Sequence, residues 1–210
     1  MTWAVETTKR LVALTFDDGP VPNCTPLVLD ALDAVNVPAT FFLVGQRLEK
    51  NARLVEGRLS RHEVGNHTWS HEDLSLLNFG AARAEIEKAH QVITRIVGRE
   101  PRLFRPPYGH LGTLALRAAD EFNYEIILWS QGVTESEFQN TPGSVVPFVV
   151  DNMKPGTIFL AHDAVADNVE PVFLNSISTV VAELRDDGYE FVTVSELLAQ
   201  REPGTGLAGG

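Results

Sequence analysis

The stretch RLVALTFDDGP, residues 10–20, contains the pattern that decides the fold. Its first seven residues are mostly apolar, with β-branched and aromatic side chains among them, which is typical of a strand buried on both faces. Two carboxylates, Asp17 and Asp18, follow this run directly, and Gly19 and Pro20 predict a turn after them. We therefore predict a central strand that ends, at the edge of a sheet, in a pair of acidic residues.

Short apolar runs of the same kind recur along the chain and alternate with helical patterns. The further predicted strands are residues 39–45, 62–67, 102–107, 125–130, 157–162 and 190–194. The predicted helices are residues 25–37, 45–61, 79–98, 112–123, 143–153, 176–188 and 195–200. This alternation predicts a parallel sheet covered by helices.

The length of the chain limits the architecture further. An eightfold barrel needs about 250 residues, and this chain has 210 residues. We therefore predict an α/β fold, a single-domain distorted and incomplete (β/α) barrel with about seven strands, with an open doubly wound sheet as the alternative. No linker divides the chain, so the domain is expected to span residues 1–200 and the Gly-rich tail, 201–210, to be flexible.

The composition narrows the class of partners. The formal net charge is -11 and the pI is about 4.9, which argues against a nucleic-acid-binding surface and favours a neutral or cationic substrate. The single cysteine, Cys24, allows no intramolecular disulfide and is expected to pack in the core. Neither an apolar span of about 18 residues nor a signal-peptide pattern is present. We expect no membrane span, and either a cytosolic protein or a trimmed mature domain.

Polar side chains with catalytic potential follow the predicted strands at their carboxyl ends. His67 and His71 follow the third strand, Arg105 and Tyr108 follow the fourth, and His162 ends the sixth. Barrel enzymes build their active sites at this rim from several strands. Taken singly, a strand-end histidine or an Arg-Pro-Pro turn is often structural, so the prediction depends on four strands that deliver such groups together.

The spacing of His67 and His71 predicts a metal site. Residues four apart on a helical turn lie on one face, and with Asp18 they would form a two-histidine, one-carboxylate site with open positions. The alternative is a pair of capping or surface histidines. Because successive side chains at a strand end point to different sides, Asp17 is expected to face the water that the metal activates. Arg105, in a loop stiffened by two prolines, is expected to hold Asp17.

Four motifs carry a resemblance to a known family: TFDDGP at 15–20, HTWSH at 67–71, RPPYG at 105–109 and LAH at 160–162. In this order they resemble the motifs of the polysaccharide deacetylases, carbohydrate esterase family 4, and the resemblance covers essentially the whole predicted domain. Each motif is short, but four in the right order are highly specific. The resemblance implies the same distorted, incomplete (β/α) barrel.

The resemblance also implies an activity. Members of the family remove acetyl groups from N-acetylglucosamine polymers, such as chitin, chitooligosaccharides and peptidoglycan, or from O-acetylated xylan, with one bound divalent metal ion. The ligand chemistry of two histidines and one carboxylate favours zinc as the metal, with cobalt or nickel as alternatives. The resemblance further implies an acetylated polysaccharide or oligosaccharide as the partner, and a secreted or cell-surface monomer.

The resemblance gives a role to each matching residue beyond the metal ligands. Asp17 would be the general base that takes a proton from water, and His162 the general acid that protonates the leaving group. Arg105 would hold Asp17 in place. The backbone N–H of Tyr108 would donate to the oxyanion, and Leu160 would line the pocket for the acetyl methyl.

One segment, WSQGVTESEF at 129–138, departs from the family pattern. The family places two aspartates here, the second followed by Trp. Gly132 and Glu135 occupy the acidic positions in this chain, and Ser136 stands where the Trp is expected. In the family an aspartate from this segment orients the catalytic histidine, so the partner that orients His162 stays open.

The altered segment affects both the orientation of His162 and the wall of the substrate groove. Glu135 and Glu137 are the candidates for orienting His162. Trp129 and Phe138 are expected to contact the substrate, with Phe138 partly refilling the gap left by the missing Trp. Two other classes of function stay open: a carbohydrate-binding protein that keeps the fold without catalysis, and a metal hydrolase that acts on a non-sugar amide.

Overall fold

Eight parallel strands form one curled sheet in the computed structural model, which describes residues 1–164 and 172–201. The strands are β1 (Leu11–Asp17), β2 (Thr40–Leu43), β3 (Glu63–Asn66), β4 (Leu103–Phe104), β5 (Glu125–Ile126), β6 (Gln131–Gly132), β7 (Ile158–His162) and β8 (Glu190–Phe191). The helices are α1 (Thr25–Val35), α2 (Gly45–Asn51), α3 (Phe79–Val97), α4 (Thr113–Asp120), α5 (Glu135–Phe138), α6 (Val145–Asn152), α7 (Ile177–Asp186) and α8 (Val194–Leu198).

The central strand of the sheet is β1. It pairs in parallel with β2 on one side and with β7 on the other, and β8 joins it at Leu11 and Val12. The strand order is β5-β4-β3-β2-β1-β7-β6. The predicted α/β fold, an incomplete (β/α) barrel, is therefore confirmed.

The amino-terminal segment bridges the two sides of the incomplete barrel, although the sequence patterns predict no element there. Thr2 pairs in parallel with Ile127, which follows β5, and Ala4 pairs antiparallel with Thr157, which precedes β7. These two residue pairs link β5 to the start of β7, two parts of the sheet that do not pair with each other directly.

Several predicted strands are shorter than their sequence patterns. The strand predicted over 102–107 is limited to Leu103–Phe104, because the two prolines that follow have no N–H to donate to a ladder. The strand predicted over 125–130 ends at Ile126, and the additional strand Gln131–Gly132 was not predicted. Beyond Arg201, the predicted tail lies outside the described residues.

The alternation of side chains along β1 divides the interior into two parts. Leu14 and Phe16 belong to the large cluster between the sheet and helices that include α1 and α7. Ala13 belongs to a second cluster inside the barrel. Because side chains two apart on a strand share a face, Thr15 and Asp17 lie on the same inner face as Ala13. The pleat of one strand thus directs a carboxylate into the barrel.

A histidine outside the functional motifs, His62, is buried directly before β3, at the amino-terminal end of the strands. His62 is almost fully buried, and its Nδ1 accepts a hydrogen bond of 3.1 Å from the N–H of Ala39. Its Nε2 has no hydrogen-bond partner among the described residues. Burial lowers the pKa of His62 to about 4, and the nearby guanidinium groups of Arg58, Arg61 and Arg99 act in the same direction.

This buried histidine predicts that the protein loses stability in mild acid. Between about pH 6.5 and pH 4 the unfolded chain takes up the His62 proton more readily than the folded one, so the free energy of unfolding falls as the pH falls. Converted in full, the shift sets an upper limit of about 3 kcal/mol on this loss. In urea unfolding, the variant His62→Gln should lose less stability between pH 7 and pH 4.5 than the wild type. Equal losses in both proteins would contradict the prediction.

Candidate active site

The two adjacent carboxylates leave β1 in different directions. Asp17 is the last residue of the strand, and only 4% of its surface is exposed inside the barrel. Asp18 follows with a φ of 80°, in the left-handed region that a non-glycine residue rarely adopts. This change of backbone conformation separates the two side chains, so that Asp17 meets a guanidinium while Asp18 meets two imidazoles.

The partner of Asp17 is a fully buried arginine from the loop after β4. Nη1 of Arg105 donates to Oδ1 of Asp17 and to Oγ1 of Thr15, each at 2.7 Å. Nη2 donates to the carbonyl oxygen of Leu128 at 3.0 Å, and the guanidinium lies 4.1 Å from the ring centroid of Phe42. A buried charge needs such a set of partners. They hold the Asp17 carboxylate in one orientation and leave Oδ2 unused by Arg105.

Asp18, His67 and His71 bring three ligand atoms within 4.8 Å of one another. Oδ1 of Asp18 lies 3.0 Å from Nε2 of His71 and 3.4 Å from Nε2 of His67. That buried oxygen has no hydrogen-bond partner of acceptable geometry among the described residues. Burial by itself would raise the pKa of Asp18, but the two imidazoles outweigh it and hold that pKa well below its usual range. An ionised carboxylate and two imidazoles fit a divalent cation of the first transition row.

The hydrogen bonds of the loop fix the ring of His67 and the backbone of His71. Nδ1 of His67 lies 2.6 Å from the carbonyl oxygen of Arg105, to which it donates, so Nε2 is left with a lone pair for the cation. The N–H of His71 donates to Oγ1 of Thr68 at 3.1 Å. Thr68 and His71 have φ of 67° and 66°. The expected helical turn is therefore absent, and an irregular loop brings the two histidines together.

A buried asparagine that the sequence analysis missed supports this loop. Oδ1 of Asn66 accepts from the N–H of Thr68 at 2.8 Å, and its Nδ2 donates to the Tyr124 hydroxyl at 2.9 Å. The same hydroxyl lies 2.8 Å from Nδ1 of the half-buried His90. The only sequence signal for this chain of contacts was the position of Asn66 directly before the first histidine of the motif.

Tyr108 lies on the open side of the three predicted ligands. It has a φ of 61°, and 60% of its surface is exposed. Its ring packs edge-on against His71, with 4.9 Å between the ring centroids. The next residue but one, His110, has Nδ1 at 2.8 Å from Oδ2 of Asp73 in the loop after β3. Contacts between these two loops therefore hold Tyr108 next to the ligand cluster.

The register between β1 and β7 places His162 beside Asp17. Their Cα atoms are partners in the parallel ladder, and two residues earlier Leu160 is the partner of Thr15. Side chains of partner residues in neighbouring strands point to the same face, so His162 and Leu160 face the barrel interior with Asp17. Leu160 is 5% exposed, whereas His162 is only partly buried at the rim.

Residues 4–127 match the family model described as polysaccharide deacetylase, which covers more than half of the chain. A Bacillus cereus protein named peptidoglycan-N-acetylglucosamine deacetylase is 39% identical over 201 residues, which cover 94% of this chain and 92% of that protein. The chain belongs to the polysaccharide deacetylase family.

Solved structures of polysaccharide deacetylases have the same fold. The crystal structure of the Bc1960 peptidoglycan N-acetylglucosamine deacetylase matches with a TM-score of 0.86 and 32% identity, over 95% of this chain and 94% of that one. BA3943, described as a CE4 family pseudoenzyme from Bacillus anthracis, matches with a TM-score of 0.83 and 25% identity, over 94% of this chain and 68% of that one. The fold alone therefore does not separate an active deacetylase from an inactive one.

The segment that departs from the family pattern is built around a glycine that packing requires. A Cβ on Gly132 would lie 2.8 Å from Cβ of Leu160 and 2.9 Å from its carbonyl oxygen. Gly132 is the partner of Leu160 in the ladder of β6 and β7. An aspartate at this position would push the two strands apart. Glu137 is exposed and accepts a hydrogen bond of 2.9 Å from Oγ1 of Thr134.

The two predicted groove residues of this deacetylase-family protein differ in their surroundings. Trp129 is half-buried, with its ring centroid 5.7 Å from the guanidinium of Arg105, and a Cβ on Gly109 would lie 3.1 Å from its ring. Phe138 is 9% exposed and packs against Phe148 with 5.1 Å between centroids. Trp129 therefore adjoins the loop that carries Arg105 and Gly109, whereas little of the Phe138 ring is exposed.

The buried ion pair of Arg105 and Asp17 predicts that removal of the arginine alone destabilises the protein more than removal of both charges. Arg105→Met leaves the Asp17 carboxylate buried without its cation, and such a change costs about 3–5 kcal/mol. The double variant Asp17→Asn/Arg105→Met leaves no buried charge and should lose less. Urea unfolding with chelator present measures both. A double variant that is less stable than Arg105→Met would contradict the prediction.

Proposed function

We propose that the protein is a metal-dependent hydrolase that removes acetyl groups from N-acetylglucosamine residues of a polysaccharide, with peptidoglycan as the first candidate. One observation supports this above all others. The Arg105 guanidinium engages Oδ1 of Asp17, whereas Asp18 forms a cluster with two histidines. Two adjacent carboxylates thereby have separate partners, as a general base and a metal ligand require.

Asp18, His67 and His71 would hold the metal, with zinc preferred and cobalt or nickel as alternatives. When bound there, a divalent cation would polarise the acetyl carbonyl and lower the pKa of its water. We place the catalytic base at Oδ2 of Asp17, because Oδ1 is engaged by Arg105. Oδ2 lies 3.8 Å from Nε2 of His67 and thus faces the ligand cluster.

The other groups complete the hydrolysis of the amide. Water supplies the oxygen that attacks the acetyl carbon, and Asp17 takes the proton that it loses. The backbone N–H of Tyr108 donates to the oxyanion, a type of contact that is commonly the largest single catalytic contribution. His162 gives a proton to the leaving nitrogen, so that acetate and a free amine result. Leu160 contacts the acetyl methyl from the inner face of β7.

The proposal of a peptidoglycan substrate rests on the relatives. The Bacillus cereus relative at 39% identity is named for the N-acetylglucosamine of peptidoglycan, and a Bacillus subtilis relative at 32% identity, PdaC, is named for its N-acetylmuramic acid. Chitin, chitooligosaccharides and acetylated xylan are further candidate substrates. A cell-wall polymer implies a secreted or cell-surface protein, which we propose to act as a monomer. Among the described residues, no helix is long and apolar enough to cross a membrane.

The alternative is a carbohydrate-binding protein that has lost catalysis. Gly132 and Glu135 in the altered segment, together with the similarity in fold to a pseudoenzyme, favour it. Asp17, Arg105 and His162 favour the enzyme, because a protein that only binds sugar has no need of a base, a buried arginine that orients it and an acid.

The separate roles of the two carboxylates predict different losses in two matched variants. Asp17→Asn should keep the bound metal and lower kcat by about 10²-fold or more, because it removes the base but none of the metal ligands. Asp18→Asn should lose the metal as well. Elemental analysis of the purified proteins and acetate release measure the two effects. If the two variants have the same metal content, the proposed division of roles is wrong.

A substrate panel tests the reaction itself. Acetate should appear from acetylated peptidoglycan, and chelator should abolish its release until a divalent metal is restored. Because Ser136 is exposed where the family has Trp, we expect a groove open enough to process chitin oligomers and acetylated xylan as well. Strict activity on one polymer would refute the open groove. Binding of oligosaccharides without acetate release from any of them would replace the enzyme with the binding protein.

A further inference from the structure

The peptide bond between Asp18 and Gly19 has a constrained position in the site. Asp18 is in the left-handed region with a φ of 80°, where a residue with a side chain is strained. The orientation of this peptide determines where the Asp18 side chain points. Such a conformation persists only when surrounding contacts hold it, so the partners of this peptide control the position of a predicted metal ligand.

Two side chains from different elements hold the peptide from opposite ends. Nη1 of Arg47, on α2, donates to the carbonyl oxygen of Asp18 at 2.7 Å. Oδ1 of Asp163, directly after β7, accepts from the N–H of Gly19 at 2.9 Å. Neither contact involves a predicted metal ligand's side chain, and neither residue was singled out by the motifs.

Asp163 is placed firmly enough to act as an anchor. It is fully buried, its Oδ2 accepts from Oγ1 of Thr25 at 2.6 Å, and its own N–H donates to the carbonyl oxygen of Asp17 at 3.1 Å. A Cβ on Gly19 would lie 2.0 Å from the Asp163 carboxylate, so only glycine allows this approach. Burial raises the pKa of Asp163 to about 7, although its contacts with Thr25 and Gly19 act in the opposite direction.

We propose that Asp163 and Arg47 are positioning residues that grip the Asp18–Gly19 peptide from its two ends and thereby aim the Asp18 carboxylate at His67 and His71. This inference rests on the proposed metal-dependent function. In this proposal, neither Asp163 nor Arg47 contacts the substrate or the metal. The predicted consequence is a metal affinity that depends on two residues outside the set of ligands.

The test measures metal binding to the metal-free protein, independently of activity. Zinc is titrated calorimetrically, and the absorption spectrum of bound cobalt(II) reports the geometry of the ligands. Asp163→Ser and Arg47→Met should each weaken zinc binding by about 10- to 100-fold, the usual range for residues that support ligands. Each should also change the cobalt spectrum. Asp151→Ser, at an exposed position on α6, is the matched control and should bind like the wild type.

Two further comparisons separate positioning from simple electrostatics. Removal of the Arg47 cation by itself would strengthen the binding of a metal cation, whereas loss of the grip weakens it. Asp163→Asn removes any negative charge but keeps an oxygen that can accept from Gly19, so it should restore binding to near the wild-type level.

The outcomes distinguish this inference from the function on which it rests. Wild-type affinity and spectrum in Arg47→Met, or in a folded Asp163→Ser, would overturn the inference alone. If near-ultraviolet circular dichroism shows that Asp163→Ser does not fold, Arg47→Met decides. A wild-type protein that binds neither zinc nor cobalt would overturn the proposed function and the inference with it.

Discussion

The ion pair between Arg105 and Asp17 joins two strands that a flat sheet would keep far apart. β4, which precedes Arg105, and β1, which ends in Asp17, are separated by β2 and β3. At about 4.8 Å per strand, their backbones in a flat sheet would be about 14 Å apart, and side chains perpendicular to that sheet would not meet, whereas Nη1 and Oδ1 lie 2.7 Å apart. The contact requires the curl of the barrel, and a buried charge on each side makes its loss costly. The site and the curvature of the sheet therefore depend on the same interaction.

Backbone conformation, rather than the choice of side chain, directs the two adjacent carboxylates to different partners. Asp17 keeps the strand conformation and shares the inner face with Thr15, whereas the φ of 80° at Asp18 turns the next side chain out of the pleat. Two like charges in sequence are thereby given different partners, a guanidinium and a pair of imidazoles. The strained backbone of Asp18 is stabilised at the peptide that follows it, which is hydrogen-bonded by Arg47 and Asp163.

The side of the barrel that departs from the family pattern is also the side where the sheet is least regular. β6 has two residues, and it approaches β7 so closely that Gly132 has no room for a side chain. The amino-terminal segment bridges β5 and the start of β7, which the sheet itself leaves unpaired. Changes in the 129–138 segment therefore act on a part of the barrel that is held by few strand contacts, while the rim residues on β1 and β7 lie in its best-paired part.

The sequence by itself determined the class of fold, the rim at which the reactive residues gather and the family, because buried strands, strand-end residues and ordered motifs are local patterns. It did not determine β6 or the bridging amino-terminal segment, since runs of two to four residues have no periodicity and form only against partners distant in the chain. It placed His67 and His71 on a helical turn, but Asn66 and Thr68 shape an irregular loop instead. The positions of Arg47 and Asp163 likewise follow from tertiary structure alone, because their partner is a peptide group, which has no residue identity for a sequence pattern to record.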